Sequence, residues 1–133
     1  MKSTDHLAKA DVIQGAVKAL AVLESFSAER QRLNATQVAL RAGITRAAAR
    51  RHLLTLHALG YVDGEDGSYW LAARVLRLAG NYLASARLPR VVQPMLNRFT
   101  ASTDCATSVA VLDEGDVVIV ARSGEQRTAS NAL

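Results

Sequence analysis

Between Val12 and Ser27 apolar side chains recur at Ile13, Ala16, Val17, Leu20 and Leu23, three or four residues apart, and predict an amphipathic helix. The polar stretch SAERQRLN breaks that period. A short second helix follows, with Thr36 as its expected N-cap, Val38 and Ala39 facing inward, and Gly43 as its stop. Only Gly43 and Ile44 then separate it from a new start signal at Thr45. RAAARRHLLTLHAL consists of strong helix formers and predicts a third helix from Arg46 to Leu59, closed by Gly60. At helical spacing Ala49, Leu53, Leu56 and Leu59 share one face. Arg46, Ala47, Arg50, Arg51 and Leu54 lie on or near the opposite side.

The period then changes. Tyr61-Val62 and Ser68–Leu71 are short aromatic or β-branched runs on either side of Asp63–Gly67, the pattern of a hairpin. A longer helix is expected next, with Leu71, Val75, Leu78, Ala79, Tyr82 and Leu83 on one stripe. Leu88-Pro89 predicts a break, because proline disfavours a helical residue before it. A further helix is expected from about Arg90 to Ala101, with a local break or offset near Pro94. Cys105–Leu112 and Val117–Arg122 flank Glu114-Gly115-Asp116 as a second, valine-rich hairpin. Residues 1–11 read as a flexible polar arm, and Ser123–Leu133 as a polar tail without period.

Composition narrows the possibilities. The chain has 133 residues, half of them apolar and 21% charged, which suits one ordinary domain or two small ones and excludes a disordered tail. No run approaches the roughly eighteen apolar residues of a membrane span, and the start MKSTDHLAKAD lacks a signal peptide's apolar core. The expected location is therefore cytoplasmic, with no membrane partner. A single cysteine excludes a disulfide framework and a cysteine-based zinc site.

The net charge of +4 is modest, but its distribution is uneven. Between Glu29 and Asp104 the only acids are Asp63, Glu65 and Asp66, whereas arginines recur throughout the interval. A GC-rich coding bias would favour arginine over lysine, yet it would not remove Asp and Glu. A field of this kind attracts a polyanion.

Helix, tight turn, helix, glycine and short hairpin, in that order, describe a winged helix-turn-helix. The second helix of such a pair enters the major groove of DNA, and small outer residues such as Ala47 let its backbone approach. Arg46 and Arg50 stand one turn apart at the leading end, where both can reach base edges, and arginine's fork matches O6 and N7 of guanine. Arg51 lies further round and suits a backbone phosphate, which positions the protein without specifying sequence. Thr45 caps the helix and is also placed for a phosphate. The alternative for R-A-A-A-R-R is a solvated face, but like charges at i and i+4 do nothing for helix stability. The wing tip carries three carboxylates and is expected to stay clear of DNA, which leaves Ser68, and to a lesser degree Tyr69, as wing contacts. Tyr69 and Trp70 are expected to hold the hairpin against the third helix.

Other residue types point away from catalysis. His52 and His57 are five apart and share no helix face; His52 is expected half-buried and His57 at the surface. Asp113, Glu114 and Asp116 sit on a turn, where such residues serve the backbone. Cys105 opens an apolar strand and is expected to be buried there. With no phosphate-binding glycine loop, nucleophile elbow or metal motif, no enzyme, cofactor or metal is expected.

VLESFS, TQVALRAGITRAAARRHLLTLHALGYV and YWLAARVLRLAGNYLAS together resemble the DNA-binding domain and linker helix of IclR-family bacterial transcriptional regulators. RAAARRHLLTL resembles in particular the branch that controls catabolism of protocatechuate, 4-hydroxybenzoate and related aromatic acids. LPRVVQPMLNRF and TSVAVLDEGDVVIVARS are similar to the opening of that family's effector-binding domain. The resemblance implies a mainly α chain with a flexible arm (1–11), a winged helix-turn-helix (12–71), a linker helix (72–87) and the incomplete start of an α/β, GAF-like effector domain (88–133). It implies a repressor or activator that binds a palindromic operator in double-stranded DNA as a homodimer or dimer of dimers. Ile13–Leu23 and the stripe Val75, Leu78, Tyr82 are the candidate pairing surfaces. The family's recognition helix falls on Arg46, Ala47, Arg50 and Arg51. Three departures are expected to loosen the core slightly: His52 in place of a large apolar residue, Ala35 where leucine is common, and an exposed Leu40 where glutamate is frequent. Only two strands of the effector domain are present, so the reading expects a truncated chain or an incomplete sequence without a competent effector pocket. An aromatic-acid effector is then expected only for a full-length relative. The alternative is a winged-helix interaction module that pairs with full-length regulators and binds no operator itself.

Overall fold

The computed structural model describes residues 3–124. They fall into two compact units that divide within one helix, between Arg77 and Leu78.

The first unit opens with a 3-10 turn at Lys9–Asp11 and α1 (Gln14–Glu24). β1 (Leu33–Asn34), α2 (Ala35–Ala42), α3 (Arg46–Ala58) and the hairpin β2 (Val62–Glu65) and β3 (Ser68–Leu71) follow. The three strands form an antiparallel sheet in the order β1-β3-β2, with Leu33 opposite Tyr69 and Val62 opposite Leu71. One core holds these elements together: Val22, Phe26, Leu33, Val38, Ala39, Ala49, Leu53, Leu56 and Val62 are all buried. Every helix and both outer strands contribute to it. Leu53, Val22, Val38 and Val62 are its largest fully enclosed side chains.

Several local expectations are corrected. The cap of α2 is Asn34, not Thr36: the Asn34 side chain accepts from the Gln37 amide, and the Gln37 side chain accepts from the Asn34 amide, both at 2.9 Å. This reciprocal capping box satisfies two otherwise orphaned donors, which a lone threonine two residues later cannot do. The hairpin loop is two residues, Asp66-Gly67, rather than five, because Asp63, Gly64 and Glu65 pair with β3. Leu59 leaves the core face and is 55% exposed, since it caps α3 as the chain turns away. Tyr69 packs on the core, but Trp70, alternating to the other face of the sheet, stacks beneath the Arg32 guanidinium at 4.0 Å instead of against α3.

α4 (Val75–Ser85) carries no buried residue. Leu78 and Tyr82 of the expected stripe are exposed, as is Leu76. In the second unit α5 (Arg87–Thr103) packs on a hairpin of β4 (Thr107–Asp113) and β5 (Asp116–Ser123), with a bulge between Val109 and Ala110. Val120 and Ala121 are buried, and the Gln93 amide donates to the Arg122 carbonyl at 2.8 Å.

The expected break at Leu88-Pro89 falls instead at Ala86. Pro89 lies in the first turn of α5, where no intrahelical N–H bond is lost. α5 also runs on through Pro94 without the expected local break. Cys105 precedes β4 and is exposed, so its expected burial is overturned. The remainder of the expected tail, 125–133, lies outside the described residues.

Candidate nucleic-acid interface

α2 and α3 meet through a turn of three residues, and its geometry follows from sequence. Gly43 has φ 65°, a left-handed conformation that a side chain would strain, and the Ile44 amide donates back to Ala39 at 3.0 Å. Thr45 then caps α3, its hydroxyl accepting from the Ala48 amide at 3.2 Å. The expected start of α3, with Thr45 as its cap, is therefore observed.

Helical spacing divides α3 cleanly. Ala49, Leu53 and Leu56 are buried, while Arg46, Ala47, Arg50 and Arg51 are exposed. α3 contains no acid, so nothing on the helix itself neutralises its three guanidinium groups. Arg46 and Arg50 are one turn apart at the capped end, and Ala47 between them adds no bulk. Helix N-termini carry partial positive charge, which adds to the field of the arginines at that end. A rod with fixed apolar anchors on one side and free guanidiniums on the other can dock against a polyanion without unfolding any contact.

Ser68 is half-buried at the start of β3, opposite Asn34 on one side and Glu65 on the other. It lies on the wing rather than on the arginine face. Asp63, Glu65 and Asp66 are exposed around the wing tip. His52 is half-buried, as expected. His57 is exposed, yet its Nδ1 lies 2.9 Å from the Val62 carbonyl, tying the end of α3 to the wing.

Other arginines of the basic field have structural duties that sequence alone did not separate. The Arg41 Nε donates to the Ser25 carbonyl at 2.6 Å, joining α2 to the end of α1. Arg32 lies over Trp70, and Arg74 lies 5.9 Å from the ring centre of Tyr61. Each partner is distant in sequence or lies round a turn, so charge counting could not reveal it. The capping role of Asn34 and Gln37, in contrast, was present as the spacing N-A-T-Q. Among the described residues no group of three or more His, Cys, Asp and Glu side chains could hold a metal ion. No helix among them is long and apolar enough to cross a membrane.

Residues 15–66 match the IclR helix-turn-helix domain. The chain is 52% identical over 121 residues to the p-hydroxybenzoate hydroxylase transcriptional activator of Acinetobacter baylyi, covering 91% of this chain and 45% of that protein. It is 45% identical to the Pca operon regulatory protein of the same organism, over 85% of this chain and 41% of that protein. Among solved structures, an IclR homologue from Microbacterium hydrocarbonoxydans complexed with 4-hydroxybenzoate aligns with a TM-score of 0.66 at 26% identity, covering 89% of this chain and 50% of the other. The chain thus spans somewhat less than half the length of the curated relatives it matches. These relatives are regulators rather than enzymes, in keeping with the absence of a catalytic motif in the sequence. The matched segment contains the capped turn, the arginine-faced α3 and the first strand of the wing described above, and residues 15–66 are thus an IclR-type helix-turn-helix domain.

Proposed function

We propose that this chain is a cytoplasmic transcriptional regulator that binds a palindromic operator as a dimer, with α3 in the major groove of each half-site. The observation that carries the reading is the division of α3, whose leucines anchor one side while Arg46, Arg50 and Arg51 stand free on the other. Arg46 and Arg50 read base edges, and Ala47 lets the helix approach. Thr45 and Arg51 hold phosphates, and Ser68 is the contact offered by the wing. The exposed apolar residues Leu20 on α1 and, separately, Leu76, Leu78 and Tyr82 on α4 supply pairing surfaces.

Similarity to the p-hydroxybenzoate hydroxylase activator supports control of aromatic-acid catabolism. An aromatic carboxylate is the effector class for a chain of the relatives' length, as for the homologue complexed with 4-hydroxybenzoate. The sense of control, activation or repression, follows from where the operator lies relative to the promoter.

The test is titration of the purified chain with DNA selected from a random pool, read by fluorescence anisotropy at several salt concentrations. Three cationic contacts in each of two protomers give a log–log salt slope of about −5. A flat salt response rejects the reading. Binding to a full-length regulator without any DNA affinity would support the interaction-module alternative, which the bare apolar stripe of α4 favours.

A further inference from the structure

We infer that Arg74 is a positioning residue: it latches the first turn of α4 to the end of the recognition helix and thereby sets the distance between two recognition helices on DNA. The second part of this inference rests on the dimeric reading above.

α3 ends in a two-bond motif, with the Gly60 amide donating to His57 and the Tyr61 amide to Leu56, both at 2.9 Å. Gly60 takes φ 80° there, as the motif requires. A second demand falls on the same residue. A Cβ at Gly60 would lie 2.9 Å from Arg74 Nε and 3.6 Å from its Cδ and Cζ, so the guanidinium end fills the space a side chain would need. The same group lies over Tyr61 at 5.9 Å from the ring centre. Backbone completes the joint: the Ala72 amide donates to the Tyr61 carbonyl at 3.0 Å. From that anchor Val75, Leu76 and Arg77 donate in turn to Ala72, Ala73 and Arg74, winding the first turn of α4. The terminal carbonyls of α3 form the negative end of its dipole, where a cation is favoured.

Arg74 is exposed, so truncating it opens no cavity in the core. The loss falls on the joint. Without the guanidinium, only the backbone at the end of the β2–β3 ladder, Ala72–Tyr61, ties the start of α4 to the end of α3, and that start swings relative to α3. A partner gripping α4 would then hold the two recognition helices at no fixed separation.

The experiment uses the full chain with Cys105→Ala, spin-labelled at cysteines introduced for Ala47 and Arg77 and diluted with unlabelled protein. The parent gives one narrow distance distribution, and Arg74→Ala gives a broad one. In parallel, affinity is measured for a single half-site and for palindromes whose half-site spacing differs by one base pair. The parent prefers one spacing by about tenfold, whereas Arg74→Ala keeps half-site affinity but loses most of that preference. An unchanged narrow distribution overturns the latch, as does an intact spacing preference. So does restoration by Arg74→Lys of both affinity and salt slope after Arg74→Ala has lowered half-site binding, because Arg74 is then a phosphate contact. A parent that binds no DNA rejects the operator-binding reading, while the distance measurement still decides the latch.

Discussion

Leu53 and Leu40 are the same residue type on neighbouring helices, and the structure assigns them opposite energetics. Leu53 has no exposed surface and is enclosed by the core of the first unit, whereas Leu40 is 85% exposed on α2. Truncation of a fully buried leucine costs about 3–5 kcal/mol, the lost transfer free energy plus the cavity left behind. A unit of about 75 residues is stabilised by roughly 4–11 kcal/mol in all, so Leu53→Ala removes a large fraction of it. Leu40→Ala loses no packing and changes stability by less than about 0.5 kcal/mol. Urea unfolding followed by tryptophan fluorescence measures both, because the sole tryptophan, Trp70, lies on β3 of the same unit. With a slope of about 1 kcal/mol per molar urea, the Leu53→Ala midpoint falls by 2 M or more, or the variant is unfolded in buffer. Equal midpoints for the two variants would refute the assignment of the core, and with it the anchoring of α3.

Three further outcomes follow from the same geometry. Arg51→Ala should weaken all DNA sequences alike and reduce the salt slope by about 2 for a dimer, while Arg46→Ala should cost about 1–3 kcal/mol of discrimination at one base position per half-site; competition binding separates the two. Asn34→Ala should destabilise the first unit by about 1 kcal/mol in the same urea assay and Thr36→Ala by much less, because only Asn34 closes the capping box. Gly43→Ala should cost about 1 kcal/mol, since the turn holds φ 65° in otherwise open space; a neutral result would show that the turn relaxes.

Local order was legible wherever a signal is carried by residues within a few positions of each other. The start of α3 at Thr45, its stop at Gly60, and the burial of Ala49, Leu53 and Leu56 all follow from capping chemistry and helical period. So does the exposure of the α3 arginines. The misplaced features have a common physical source. Leu59 satisfies the helical period but lies at the position where the chain departs from α3, and a period carries no information about where a neighbour ends. Trp70 alternates correctly along β3, yet only the pairing of β1 with β3 brings Arg32 to its face. Cys105 fits the apolar run before β4 but precedes the first paired residue.

What the chain's own letters determined is therefore the set of elements, their caps and the face each presents, because 3.6-residue and two-residue periods are short-range properties. Which of the other arginines are engaged was decided by tertiary structure. Arg41, Arg32 and Arg74 are chemically identical to Arg46, Arg50 and Arg51, but a carbonyl at the end of α1, an indole on β3 and the Tyr61 ring engage the first three. Such partners come together only when helices and strands pack, since a guanidinium's role depends on what lies within a few ångströms of it in space.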